Sequence, residues 1–307
     1  MKSLDKLNIL DLSKLYKELK IKYRNKVNIQ KYLESRKFDS DTSINVSYDI
    51  QSGSYINFFN NLSKKRKNSI YFPIIEEYNK NFKKCKTLLD FGCGELTSSS
   101  FIIKKLSKKI NKYFATDISL NRLFLGKNYI KKKLTNKDYK KLTIFCNTSS
   151  KLPFRNNSID LVLTVHALEP NNKNKNLILD ELLRVSKYGL LLMEPYFEKS
   201  NKKQQRRMKK YNYIRGLKKT LVAKGCYVEV IKKDHHINSL NESSIFIVKK
   251  IKKTKVRNDC NFVDPINQRE LNTIDGFLYS KENFRLYPKF GEIYIFNELS
   301  RFYLPKI

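Results

Sequence analysis

From Thr87 onward, short apolar runs alternate with longer stretches whose apolar residues recur every three or four positions. "TLLDF", "YFATDI", "LTIFCN", "IDLVLTVHAL" and "YGLLLMEP" read as strands, the last stopped by Pro195. "TSSSFIIKKLSKKI", "SLNRLFLGKNYIKKK" and "NLILDELLRVSK" read as helices; in the last, Ile178, Leu182 and Val185 share one face. A basic helical stretch, "KKQQRRMKKYNYIRGLKKTLVAKG", follows, and "YVEVIKKD" and "SIFIVKK" end the series as strands. Such alternation predicts an α/β domain, a mostly parallel sheet with helices on both faces.

The flanks follow other patterns. Residues 1 to about 40 place Leu and Tyr at helical spacing among lysines, as in "LSKLYKELKIKYRNK". A polar, glycine-containing segment, "SINVSYDIQSGSYINFF", comes next, then a helix expected to start near Pro73, because proline suits a first helical turn. From about Lys252 the tail is dense in aromatic and turn residues and reads as a small β-rich module. The expected divisions are 1–69, 70–251 and 252–307.

The length of 307 residues allows one sizeable core with small appendages. A formal net charge of +34 ordinarily points to a polyanionic partner. Here the lysines are spread almost everywhere, and the excess of Lys, Asn and Ile reads as a codon bias that places lysine wherever a solvated residue is tolerated. The five cysteines include no C-x-x-C pair, which argues against a disulfide framework or a four-thiolate zinc site and fits a reducing cytoplasm. No run of about 18 apolar residues occurs, so neither a membrane span nor an export leader is expected.

The chemistry centres on "TLLDFGCGELTSSSF". Strand, glycine turn and helix start commonly hold a nucleotide phosphate, a dinucleotide or an adenosyl group. A phosphate loop needs G-x-x-x-x-G-K-[ST], whereas Glu95, Leu96 and Thr97 follow Gly94. A dinucleotide turn wants a third glycine where Thr97 stands, which weakens that reading without removing it.

"LLDFGCGEL" resembles the first motif of class I S-adenosylmethionine-dependent methyltransferases, and "KLPFRNNSIDLVLTVHALEPN" resembles the signature of their ubiquinone/menaquinone methyltransferase-like group, the methyltransferase type 11 domain. The resemblance covers about residues 70 to 250 and implies a Rossmann-like seven-stranded sheet with S-adenosylmethionine at its carboxyl edge. It implies that Asp90 lies near the methionyl amino group, that Gly92 and Gly94 admit the cofactor, and that Asp117 accepts the ribose hydroxyls. Leu96 replaces the third glycine of the family turn. Asn147, Thr148 and Leu152 fall where relatives border the adenine. In "YDIQSGSY", Tyr48, Gln51 and Tyr55 are expected to close a lid over the cofactor and to meet its carboxylate.

The tail resembles a zinc-ribbon-like methyltransferase activator module, keeping Tyr287, Pro288, Gly291 and "IYIF". Its first knuckle reads Asp264, Pro265, Ile266, Asn267, and "LYSKEN" has no cysteine, so no metal is expected.

His166 and Glu169, in the loop after the fourth strand, are the candidate catalytic bases. Glu194 and Tyr196 are candidate substrate binders, and Arg206 and Arg207 candidate phosphate ligands. The chain lacks N-P-P-[YF] and a Pro-Cys pair, which favours a small-molecule or sugar acceptor over nucleic acid, and "HALEPN" with "RVSKYGLLLMEP" resembles methyltransferases of bacterial surface-sugar pathways. An RNA or protein methyltransferase is the second reading, and a non-catalytic cofactor-binding partner subunit the third. Oligomeric state is open.

Overall fold

The computed structural model describes residues 8–148, 151–232, 242–251, 260–296 and 302–303. Five helices come first: α1 (Ile9–Arg24), α2 (Ile29–Ser35), α3 (Ser40–Ile50), α4 (Ser54–Asn61) and α5 (Lys64–Asn81). The α/β series then runs β1 (Thr87–Phe91), α6 (Thr97–Leu106), β2 (Lys112–Asp117), α7 (Leu120–Lys131), α8 (Asn136–Tyr139), β3 (Leu142–Cys146), β4 (Ile159–Val165), α9 (Lys175–Val185) and β5 (Ser186–Pro195). It ends in α10 (Lys202–Lys210), α11 (Leu217–Ala223), β6 (Cys226–Lys232) and β7 (Ser243–Lys250). The tail adds β8 (Asn272–Ile274), β9 (Phe277–Ser280), β10 (Arg285–Tyr287), β11 (Lys289–Phe290), β12 (Ile293–Ile295) and β13 (Phe302–Tyr303).

The central sheet has the order β11-β12-β3-β2-β1-β4-β5-β7-β6. Strands β3, β2, β1, β4 and β5 are parallel, and β7 is antiparallel to both β5 and β6. Strand order reverses between β1 and β4, and ligands of open α/β sheets sit at the carboxyl ends of the strands flanking such a reversal. Successive side chains of a buried strand face opposite layers. Leu88 therefore joins Ile74, Ile102 and Ile103 of α5 and α6, while Leu89 joins Leu179, Leu182 and Leu221 of α9 and α11.

Among the described residues the sheet has nine strands where the resemblance implied seven, because the tail divides between two sheets. Strand β12 pairs in parallel with β3, extending the main sheet, while β8, β9, β10 and β13 form a second sheet of four strands. Phe262 drives this union, its ring lying 5.2 Å from that of Phe145, 5.3 Å from Phe154 and 5.0 Å from Phe296.

Within the tail a carboxylate forms the cross-link. Buried Asp264 accepts from the Ile266 N–H (2.8 Å), from Asn283 Nδ2 (2.8 Å) and from the Tyr287 hydroxyl (3.1 Å). Among the described residues no group of three His, Cys, Asp or Glu side chains is placed to hold a metal.

One local expectation needs correction. The helix assigned to begin near Pro73 begins at Lys64, where the Ser63 hydroxyl caps the Arg66 N–H at 3.1 Å; Pro73 lies in its interior. The glycine-containing segment is mostly helical: Asp39 caps α3, and Gly53, at φ +93°, turns the chain into α4. Packing of Val46 and Ile50 against Leu15, Leu19 and Leu33 outweighs the segment's polar composition. The basic stretch after Pro195 is two helices, broken around Asn212 at φ +52°. No described helix is long and apolar enough to cross a membrane.

Candidate active site

The turn after β1 brings the carboxyl ends of β1 and β2 together. The N–H groups of Gly92 and Cys93 both donate to the Thr116 carbonyl (2.8 and 2.9 Å), and Gly94 N–H donates to Asp117 Oδ2 at 2.8 Å. Asp117 Oδ1 accepts from Ser119 N–H at 3.0 Å, so the carboxylate is aimed by the backbone on both sides. Gly92 has φ +70°, and a Cβ there would collide with the Ala167 methyl of the loop after β4. Leu96, at the family's third glycine, adopts φ +57°; a left-handed conformation costs a branched-chain residue about 1–2 kcal/mol. Its complete burial in the α5–α6 layer offsets that cost.

Two adjoining cavities open here. A narrow one of about 60 Å³ lies between Phe91, Asp117, Ile118 and Asn147 at the carboxyl edge of the sheet and Ile44 and Tyr48 of α3. A larger one of about 330 Å³ runs past Gly94 and Glu169 to Arg207, Tyr211 and Tyr213. Tyr48, Gly92, Arg122, His166 and Pro170 belong to both.

The roof of these cavities is tied to the turn. Glu95, 1% exposed, accepts from Gly53 N–H (2.9 Å) and Ile56 N–H (2.8 Å), capping the first turn of α4. Arg122 of α7 passes beneath, its guanidinium 4.8 Å from the Tyr48 ring centre and 4.6 Å from that of Tyr55.

The adenosyl-side residues separate into walls and supports. Asn147 lines the narrow cavity; its Nδ2 donates to the carbonyls of Thr148 and Lys151, and its buried Oδ1 has no partner among the described residues. Thr148 and Leu152 are not among the residues lining either cavity, and Leu152 lies wholly in the core. Asp90 sits beneath the turn, accepting from Ser99 Oγ (2.6 Å) and the Tyr113 hydroxyl (2.9 Å). Burial raises its carboxyl to about 6, and those two hydrogen bonds oppose the rise. Gln51 and Tyr55 line the larger cavity.

At the end of β4 His166 takes a left-handed backbone, φ +57°, with its N–H bonded to the Met193 carbonyl (2.9 Å). Strain of this kind persists where the surroundings over-determine it. Both ring nitrogens are engaged: Nδ1 lies 2.9 Å from Glu169 Oε2 and Nε2 lies 2.5 Å from Ser243 Oγ of β7. The Tyr213 hydroxyl also bonds Glu169, and burial beside that carboxylate raises the phenol's pKa. Glu169 therefore forms a three-residue cluster with His166 and Tyr213 on the cavity wall.

Of the candidate substrate binders, only Arg207 reaches the cavity, 5.3 Å from the ring centres of both Tyr211 and Tyr213. Arg206, one residue earlier on α10, is exposed. Tyr196 packs on Phe246 at 5.2 Å, away from the cavity. Glu194 is buried behind the loop after β4, its Oε1 accepting from the N–H groups of Ala167 (2.9 Å) and Leu168 (3.1 Å). Burial pushes its carboxyl up to about 7, although nearby His166 pulls the other way. A raised folded-state value means the folded protein holds this proton more tightly, so the contribution is present at low pH and is lost as pH rises towards 7. Glu194→Gln, which keeps the acceptor, is expected to flatten the fall in urea stability between about pH 5 and about pH 8.

Sequence reasoning missed Glu95, Arg122 and Tyr213. Glu95 carried a weak signal, an acid directly after the glycine turn. Arg122 and Tyr213 carried none, because "SLNRLFLGK" and "KKYNYIRG" read simply as parts of helical stretches.

Comparison with known proteins decides the domain. Residues 89–193 match the family model described as a methyltransferase domain, Methyltransf_11. This segment is a methyltransferase domain. Its cofactor is S-adenosylmethionine. The glycine turn, the aimed Asp117 carboxylate and the unpartnered Asn147 oxygen fit the adenosyl group, offering acceptors for ribose hydroxyls and an adenine amino group.

The methyltransferase domain carries the class I fold. The chain superimposes on magnesium protoporphyrin IX methyltransferase (ChlM) from Synechocystis PCC 6803 with bound SAH at a TM-score of 0.51 and 12% identity, covering 67% of this chain and 98% of that one. The same enzyme with bound SAM gives 0.51 and 12%, over 69% and 98%. A SAM-dependent methyltransferase from Aquifex aeolicus gives 0.44 and 16%, over 63% and 96%. At these identities the likeness concerns the fold alone. No curated protein matches the chain.

Proposed function

We propose that the protein transfers the methyl group of S-adenosylmethionine to a hydroxyl of a small molecule, a sugar or glycan precursor. The larger cavity carries this reading. Its volume of about 330 Å³ lies at the low end of the range of about 300–1,000 Å³ typical of small-molecule sites. Its outer wall presents Tyr55, Tyr211 and Tyr213 as flat faces for a ring, with Arg207 beside them and Glu169 within.

When bound, S-adenosylmethionine supplies an electrophilic methyl group on a sulfonium. The protein's part is alignment and proton removal. Because both nitrogens of His166 are engaged, Glu169 is the group we assign to take the acceptor hydroxyl's proton. His166 holds Glu169 through Nδ1, and Ser243 at Nε2 fixes the ring. Tyr48, Gln51 and Tyr55 close the space from above.

The test is incubation with methyl-labelled S-adenosylmethionine and, separately, nucleotide sugars, total RNA and a protein panel. Label in a sugar alone is the expected result. Label in RNA or protein alone would overturn the acceptor class, and cofactor binding with no transfer to any panel would favour a partner subunit.

A further inference from the structure

Arg122 is 7% exposed, yet its guanidinium makes no hydrogen bond to any described residue, and its Nε is buried without a partner. Its ion pair with Glu95 spans 3.7 Å, beyond hydrogen-bond length. The neighbouring acids are engaged elsewhere: Asp117 accepts from Gly94 and Ser119 N–H groups, and Glu95 from those of Gly53 and Ile56. A buried guanidinium left without hydrogen bonds is costly. Burial opposes its charge, but Asp117, Tyr55, Tyr48 and Glu95 keep its pKa above the ordinary value, so the group remains a cation.

Position specifies what it awaits. The guanidinium tip lies against Gly94, where an added Cβ would strike it, and it lines both cavities. Tyr48 and Tyr55 flank the planar group and fix its orientation. A planar fork of donors at fixed orientation matches a carboxylate. The carboxylate of S-adenosylmethionine is that cofactor's one anionic group.

We infer that Arg122 is the receptor for the cofactor's methionyl carboxylate, with Tyr48 and Tyr55 orienting the arginine rather than meeting the carboxylate themselves. The inference rests on the cofactor assignment above and makes Arg122 the residue that distinguishes the full cofactor from adenosyl ligands lacking the acid.

Calorimetric titration with S-adenosylhomocysteine and with its decarboxylated analogue, which keeps the adenosyl group, the sulfur and the amine, tests this. The wild type is expected to prefer S-adenosylhomocysteine by roughly 10- to 100-fold, the range of a charge-assisted pair. Arg122→Gln should bind both compounds equally, within about threefold of the wild type's affinity for the analogue. Arg122→Lys, which keeps the cation but loses the fork, should fall between. Retained analogue binding shows that the variants are folded. An Arg122→Gln protein that keeps the wild-type preference overturns the inference and leaves the cofactor reading intact, whereas a wild type that binds neither compound overturns both.

Discussion

Glu169→Gln is expected to lower kcat by about 10²- to 10⁴-fold, the usual contribution of a positioned general base. Glutamine keeps the size of the side chain and its bond to His166, but it cannot accept a proton. Affinity for S-adenosylhomocysteine should stay within about threefold of wild type, because the predicted cofactor contacts at Gly94, Asp117 and Asn147 lie at the carboxyl ends of β1, β2 and β3, whereas Glu169 follows β4. The measurement is steady-state kinetics on an acceptor found by the screen, with cofactor affinity measured in parallel. Undiminished turnover in Glu169→Gln would show that the acceptor ionises unaided or that another group takes its proton. His166→Asn is the companion variant. If His166 only positions Glu169, its loss should lower kcat less than Glu169→Gln does.

The second large effect is expected at Gly92. An alanine there must hold φ near +70° and drive its methyl into that of Ala167. Left-handed strain of about 1–2 kcal/mol combines with an overpacking cost of about 1–3 kcal/mol. Either the turn or the loop after β4 must shift, and both line the cavities. Affinity for S-adenosylhomocysteine is expected to fall by at least about 30-fold, in line with that sum. Unchanged affinity by calorimetry would place the cofactor away from this turn. Gly94→Ala, whose methyl would meet the tip of a side chain, the Arg122 guanidinium, and no backbone atom, should be milder.

The comparison of Arg206 with Arg207 shows where sequence reasoning runs out. Both lie in "KKQQRRMKK" with the same charge and propensity, and only the rotation of α10 sends Arg207 to the cavity and Arg206 to solvent. His166 is a similar case. Its neighbourhood to Glu169 is legible as a three-residue spacing after a strand, but Ser243 is 77 residues away. That contact engages the second ring nitrogen, which is why Glu169 and not His166 is the base we propose. Asp264 was legible only as an acid in the pattern that resembles a zinc knuckle, while its role as a hydrogen-bonded cross-link became visible only with Asn283 and Tyr287 around it.

What the sequence by itself determined was the set of features governed by short-range physics. Alternating strand and helix periods, the glycine turn after "LLDF" and the acids ending β1 and β2 follow from neighbours a few residues apart. Only the tertiary structure decided which charges are buried. Glu95 caps a helix 42 residues upstream, Arg122 lies between tyrosines of α3 and α4, and β12 joins a sheet begun some 200 residues earlier at β1. Such contacts depend on how amphipathic surfaces find one another, and a chain this rich in lysine carries little local record of which of its charges will lose water.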